Sequence, residues 1–276
     1  MFEKNVPKTK FGSALNILEL TYLNAVQSVR SKHGNAFMAL FTNILQSVIF
    51  TLAFFMFFQL LGMRAAAIRG DFMVYIMSGI FLFMTHTKSV AAVSGAEGPT
   101  GGMMLHAPMN TAISIMSRML STLYIQVSSL LLILFFYDML FAPGVIGQIH
   151  NPIQAFGMLL LAWLSGGAVG LVFLAASPWY PTPVGVLRTI YQRANMIASG
   201  KMFVANSLTP QMLALFDWNP LFHTIDQARG YAFINYFPRN SSWEYALWFT
   251  LVFMMIGLMG EFFTRKHVSA SWFARR

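Results

Sequence analysis

The chain of 276 residues has no cysteine and only nine Asp and Glu. The missing thiols exclude disulfides, thiolate metal sites and a cysteine nucleophile. Charged residues of both signs make up 10% of the chain, against about 25% in an ordinary soluble domain. Such a deficit, sustained along the whole length, leaves little for a soluble enzyme to work with. A phosphate-cradling loop GxxxxGK[ST] is absent, because Gly200-Lys201 is followed by Met202 and lacks the upstream glycine. No HExxH occurs and the six histidines are scattered, so no metal site is expected. Ala92-Val93-Ser94-Gly95 offers a serine, but the last apolar run carries no histidine before His267 to act as its base, which argues against an intramembrane protease. Asp138, Asp217 and Asp226 are too dispersed to form the shared acid cavity of an enzyme acting on lipid carriers. An ion-coupled carrier would want carboxylates within its spans and an internal repeat; the first and fourth spans have no acid, and no clear repeat is seen.

Apolar residues make up 57% of the chain, with 27 Phe and 20 Met. About 20 apolar residues cross a bilayer. The runs predict an all-α membrane protein of six transmembrane helices. Span one lies in 34–63, span two in 72–93, span three in 112–140 with Arg118 at its start, and span four in 153–176. A broken span five begins near Pro183, and span six covers 245–263. Ser165-Gly166-Gly167 and Gly170 in span four are small residues that let helices approach closely. Ahead of the spans, Leu15, Leu18, Tyr22, Val26 and Val29 recur at helical spacing between basic residues. This predicts an amphipathic helix in residues 1–33, lying in the membrane interface or against a partner. Residues 34–263 form the transmembrane domain and 264–276 a basic tail.

The net charge of +9 sits between apolar runs, which is a topology signal rather than one for nucleic acid. With the N-terminus in the cytoplasm, Lys4, Lys8, Lys10, Arg30, Lys32, Lys88, Arg118, Arg188, Arg193, Arg265, Lys266, Arg275 and Arg276 fall inside. Arg64, Arg69, Arg229 and Arg239 fall outside. The positive-inside rule therefore places both termini in the cytoplasm.

The stretch Pro183–Arg229 is not a plain span. An apolar helix is interrupted at Ser199-Gly200-Lys201 and stopped by Pro210; Asn219-Pro220 then marks a new helix start, with Asn as N-cap and Pro at N1. Broken backbone at membrane depth persists only when buried in protein or beside water, and the expectation is that this stretch lines a passage. Within it, Lys201 either meets an anionic substrate, pairs with a partner such as Asp138, or snorkels to the interface. Trp179, Tyr180, Tyr191 and Trp218 either stack on sugars or belt the interface. Arg188 and Arg193 either attract phosphate or acidic sugars at a cytoplasmic mouth, or only mark topology.

Asn219-Pro220-Leu221-Phe222-His223, followed by Asp226 and Arg229, resembles the NPLxH…E/D…R stretch after the fifth span of ABC-2-type permeases, most of all the capsule polysaccharide exporters. Gly102-Met103-Met104-Leu105-His106-Ala107-Pro108, leading to Arg118, resembles their cytoplasmic coupling segment, and Arg30-Ser31-Lys32-His33-Gly34 their basic approach to span one. The leucine-glycine-tryptophan pattern usual at the head of span one is replaced by Phe37-Met38-Ala39-Leu40. The resemblance implies short re-entrant helices between spans five and six. It also implies a permease subunit of an ATP-binding-cassette exporter, in the bacterial inner membrane, moving a lipid-linked anionic glycan. The chain would pair with a second copy of itself and with two ATPase subunits, which would hold the ATP and Mg; this chain would bind no cofactor. Arg30, Lys32, Gly34, Glu97, Gly102, His106 and Pro108 would receive the ATPase stroke. Spans one, two and five would line the passage. A periplasmic adaptor, an outer-membrane channel, and the choice among capsule, O-antigen, teichoic-acid or drug cargo are left open.

Overall fold

The computed structural model describes residues 10–31, 35–60, 68–98 and 110–267, and among these all regular structure is helical. In chain order the helices are α1 (Lys10–Ser31), α2 (Ala36–Leu60), α3 (Phe72–Ser94), α4 (Thr111–Leu140), α5 (Pro152–Ala176), α6 (Pro181–Ala198), α7 (Pro210–Leu213), α8 (Pro220–Ala232) and α9 (Trp243–His267). Single 3₁₀ turns occur at Ile146–Gln148 and Ala205–Ser207. Local chemistry sets several of the starts. Asp71 caps α3 by accepting from the Val74 amide, Asn110 caps α4 through Ala112, and Pro152 opens α5 at a position where its missing N–H costs nothing.

Among the described residues, five helices are long and apolar enough to cross a membrane: α2, α3, α4, α5 and α9. They match the expected spans one to four and six. The fifth expected span is α6, 18 residues long and amphipathic rather than uniformly apolar. At 1.5 Å per residue it reaches about 27 Å, close to the thickness of a hydrocarbon core. It ends at Ala198, at the expected interruption. Pro210 does not stop it but opens α7, with Thr209 as N-cap. At the other end of the chain, α9 continues as helix to His267.

Helix α5 is the hub, packed against α3, α8 and α9. Its small residues face α3: a Cβ on Gly166 would run into the His86 carbonyl, and one on Gly170 would stand 2.9 Å from that of Val90. The two backbones are therefore as close as glycine permits. The core around Val74, Ile76, Ile80, Leu159, Leu221 and Ile225 joins α3, α5 and α8. Helix α1 buries Thr21, Ala25 and Val29 and packs along α4, where the Ser117 hydroxyl donates to Thr21 O at 2.9 Å. Its expected apolar face thus divides, with Val29 inward while Leu15, Leu18 and Tyr22 stay exposed.

Replacing Gly166 with Leu is expected to force α3 and α5 apart at a cost of about 1–3 kcal/mol. The check is the unfolding midpoint of purified protein in detergent, compared with Gln154→Leu at an exposed position of α5. Equal midpoints for the two variants would contradict the close approach.

Candidate functional site

The expected break after α6 is present, and it is buried in protein. Gly200 has φ +75°, a left-handed turn that only glycine takes without strain, and a Cβ there would lie 2.8 Å from the Phe222 ring. The carbonyls released by the break are collected by one side chain. Arg229, on α8 and 0% exposed, donates from Nη1 to Gly200 O at 2.9 Å and Phe203 O at 2.6 Å, and from Nη2 to Lys201 O at 2.7 Å. Its guanidinium carbon lies 4.2 Å from the centroid of the Tyr75 ring on α3. A rigid fork with several donors suits this task better than an ammonium would.

The other motif residues close the same hairpin. Asn219 caps α8 by accepting from the Leu221 amide at 3.0 Å, and its amide nitrogen donates to Ala198 O at 2.9 Å and Asn195 Oδ1 at 3.0 Å. The end of α6 is thereby tied to the start of α8. Pro220 occupies N1. His223 Nδ1 accepts from the Ser242 amide at 3.0 Å, which leaves Nε2–H to donate to Asp217 O at 2.6 Å and fixes the tautomer. Asp226 accepts from the Ser241 hydroxyl at 2.7 Å, from the Ala205 amide at 3.4 Å and from the Tyr236 hydroxyl. Burial first, and then the Asp226 carboxylate, push the Tyr236 phenol well above its ordinary pKa, so it donates to Asp226 at any working pH. Asn219, Pro220, His223, Asp226 and Arg229 together fasten a hairpin inserted among α3, α5 and α9.

Lys201 neither snorkels nor pairs with Asp138, whose carboxylate accepts from the Ile146 amide instead. It is 2% exposed, donates to Met196 O in the last turn of α6, and lies 4.1 Å from the Phe83 ring centroid and 5.4 Å from that of Phe54. A cation at a helix C-terminus meets both a free carbonyl and the negative end of the dipole. The Lys201 side chain therefore satisfies one of the last carbonyls of α6, as Asn219 satisfies another.

The aromatic and arginine candidates do not converge. Trp179, in the α5–α6 turn, stacks on Phe263 and donates to Thr264 Oγ1 at 2.9 Å, so it fastens α9. Tyr180, beside it, is exposed. Trp218 lies at the opposite end of α6, with its indole N–H on Leu215 O at 2.7 Å. Tyr191 is in mid-helix, its hydroxyl 2.9 Å from His86 Nε2. Arg188 reaches Ser94 Oγ at the end of α3 at 3.4 Å, whereas Arg193, five residues on, is exposed on another face. Of the expected coupling residues, Glu97 donates its backbone N–H to Ser114 Oγ at 3.2 Å. Lys32, Gly34, Gly102, His106 and Pro108 lie outside the described residues, and Arg30 is described only as backbone in the last turn of α1.

His86 was not foreseen. Fully buried in α3, it meets Ser165 Oγ at 3.0 Å and Ala162 O at 3.2 Å on α5, and Tyr191 on α6. The available signal was a lone histidine inside an apolar run, where a polar group needs partners. Glu261, buried in α9 and holding the Thr111 hydroxyl at 2.6 Å, was also missed. No group of three or more His, Asp or Glu that could hold a metal occurs among the described residues.

An all-helical bundle of apolar helices, with a fastened hairpin inserted before the last one, defines a multi-pass membrane protein. No protein-family profile matches the chain. Two Escherichia coli proteins, each described as polysialic acid transport protein KpsM, are 28% and 27% identical to it over 195 residues, covering 68% of this chain and 71% of each relative. The comparison bears out the likeness to the ABC-2-type permeases of capsule polysaccharide export.

Replacing Arg229 with Met should strand three buried carbonyls, at roughly 1 kcal/mol or more each. Replacing Lys201 with Met removes one hydrogen bond, worth about 1 kcal/mol. Thermal unfolding in detergent should therefore rank wild type above Lys201→Met and Lys201→Met above Arg229→Met; the reverse order of the two variants would refute these assignments.

Proposed function

We propose that this chain is the permease subunit of an ATP-binding-cassette exporter that moves a lipid-linked, capsule-type polysaccharide across a bacterial inner membrane. The observation that carries the reading is the similarity, over two thirds of the chain, to two proteins described as transporters of polysialic acid. Work comes from a separate ATPase subunit, because the chain has no phosphate loop of its own. Both termini lie in the cytoplasm, as the Lys and Arg distribution requires.

The outward faces of α2 and α6 favour a two-fold assembly. Helix α2 exposes Phe37, Met38, Phe41, Leu45, Ile49 and Leu52, and α6 exposes Val186, Leu187, Ile190 and Ile197 together with Thr189 and Arg193. A partly polar helix with one open face in a bilayer calls for a second protein surface or a wet passage. Two copies about an axis supply both. Arg193 then offers a guanidinium fork to acidic sugars or phosphate. The hairpin gives the passage a rigid outer end, while ATP binding shifts the spans between closed and open packings through its differential affinity for the two states. The loop containing Gly102, His106 and Pro108, together with Arg30, Lys32, Gly34 and Glu97, receives the ATPase stroke.

The test is reconstitution in liposomes with and without a partner ATPase subunit, using a lipid-linked acidic glycan as cargo. Transport is expected only with the ATPase and ATP, and cargo movement by the chain alone would overturn the reading. With the ATPase present, Arg193→Glu should cut export several-fold while leaving the unfolding midpoint in place. Joint replacement of His106 and Pro108 by Ala should leave hydrolysis running while export falls; full export with unchanged coupling would count against this loop.

A further inference from the structure

We infer that each chain holds an anionic glycerophospholipid of the surrounding bilayer between α1 and the bundle, apart from any route taken by the cargo. Two adjoining spaces carry this. The first is a polar cavity of about 280 Å³ among α1, α2, α3 and α4. Its lining includes Asn43, Gln46, Lys88, Arg118, Ser121 and Gln126, and no carboxylate among the described residues. The second is an apolar groove of about 580 Å³ between α1 and α4, lined by Tyr22, Val26, Leu123, Tyr124, Val127 and Phe156. Val29 and Ser121 belong to both walls, so the two spaces adjoin.

The polar cavity is built rather than incidental. Lys88 donates to Asn43 Oδ1, which also accepts from Gln126 Nε2 at 2.9 Å, while Asn43 Nδ2 donates to Ser129 Oγ at 2.6 Å. This network holds the amides in place and leaves Gln126 Oε1 fully buried without a hydrogen-bond partner. A buried acceptor of that kind costs free energy until a hydroxyl or amide donates to it. Two cations in a cavity without a carboxylate fit a phosphate, and the Arg118 fork can hold two of its oxygens. The side chains of Gln46, Ser121 and Thr122 on the same walls offer acceptors to a headgroup that bears hydroxyls as well as phosphate. A continuous apolar groove fits an acyl chain. Phosphatidylglycerol has all three features. Basic pockets between transmembrane helices near a membrane surface bind acidic headgroups by the same physics. Because α1 contributes to both walls, the lipid would fasten this helix to the bundle.

The test is native mass spectrometry of the full chain released from nanodiscs of mixed phosphatidylglycerol and phosphatidylcholine. The wild type is expected to retain one phosphatidylglycerol per chain in preference to phosphatidylcholine. Arg118→Gln should lower that retention about ten-fold, and Arg118→Lys should restore part of it. Ser128→Trp fills the groove without replacing the cations; it should abolish binding of the dioleoyl lipid and spare the dihexanoyl form. Gel filtration and circular dichroism establish that each variant is folded, and either variant alone suffices for the test. Equal retention of the two lipids, or unchanged retention in both variants, overturns the site. Full competition by inorganic phosphate reduces it to an anion cavity and overturns the lipid assignment. Specific retention of the lipid-linked cargo in place of phosphatidylglycerol assigns the site to the cargo and likewise overturns it.

Discussion

A chain that breaks helix within a protein interior must satisfy the peptide groups it releases, and here a single guanidinium does most of that. Arg229 holds the carbonyls of Gly200, Lys201 and Phe203, and Tyr75 covers its face. In water such bonds contribute little net free energy, since solvent would replace them. In a site without water the alternative is an unsatisfied carbonyl, which is far worse. The turn at Gly200–Phe203 is tied to α8 and to α3 through this one group. The remaining polar residues of the hairpin extend the same logic outward: Asn219 ties it to α6, Asp226 to the 236–241 loop, and His223 to both of its flanks.

The consequence for function is a division of labour within the chain. The α3–α5–α8–α9 block is tightly packed and its polar groups are turned inward. Helices α2 and α6 lean on that block while presenting broad outward faces. An exporter that alternates between packings needs this combination, because packed cores shift between discrete arrangements rather than deforming continuously. His86 is placed where such a shift would be felt, since it touches α5 and α6 from α3. The motif residues that carry the likeness to the ABC-2-type permeases belong to this frame, buried and hydrogen-bonded within the hairpin. Arg193 lies on the open face of α6, whereas Lys201 is buried.

Much of the architecture was legible because it rests on local chemistry. Apolar runs long enough for a bilayer marked α2, α3, α4, α5 and α9, and Asn219-Pro220 marked the start of α8 from two adjacent residues. Small residues in α5 announced a close neighbour without saying which one, and α3 proved to be it. The roles of Lys201, Trp179 and Arg188 were not legible. Each side chain is long enough to reach several surfaces, and composition gives no direction to choose among them. His86 and Glu261 went unnoticed because a single polar residue in an apolar run is informative only once its partners are known.

The sequence by itself determined that this is a chain of membrane helices with a break between the last two, since hydropathy, capping and proline act over a few neighbouring residues. Only the tertiary structure decided what satisfies the break, which is packed against Phe222 and hydrogen-bonded to Arg229. Arg229 meets Gly200 across 29 residues, and His86 meets Tyr191 across 105. Contacts of that range are set by how the helices pack together, which no local pattern encodes.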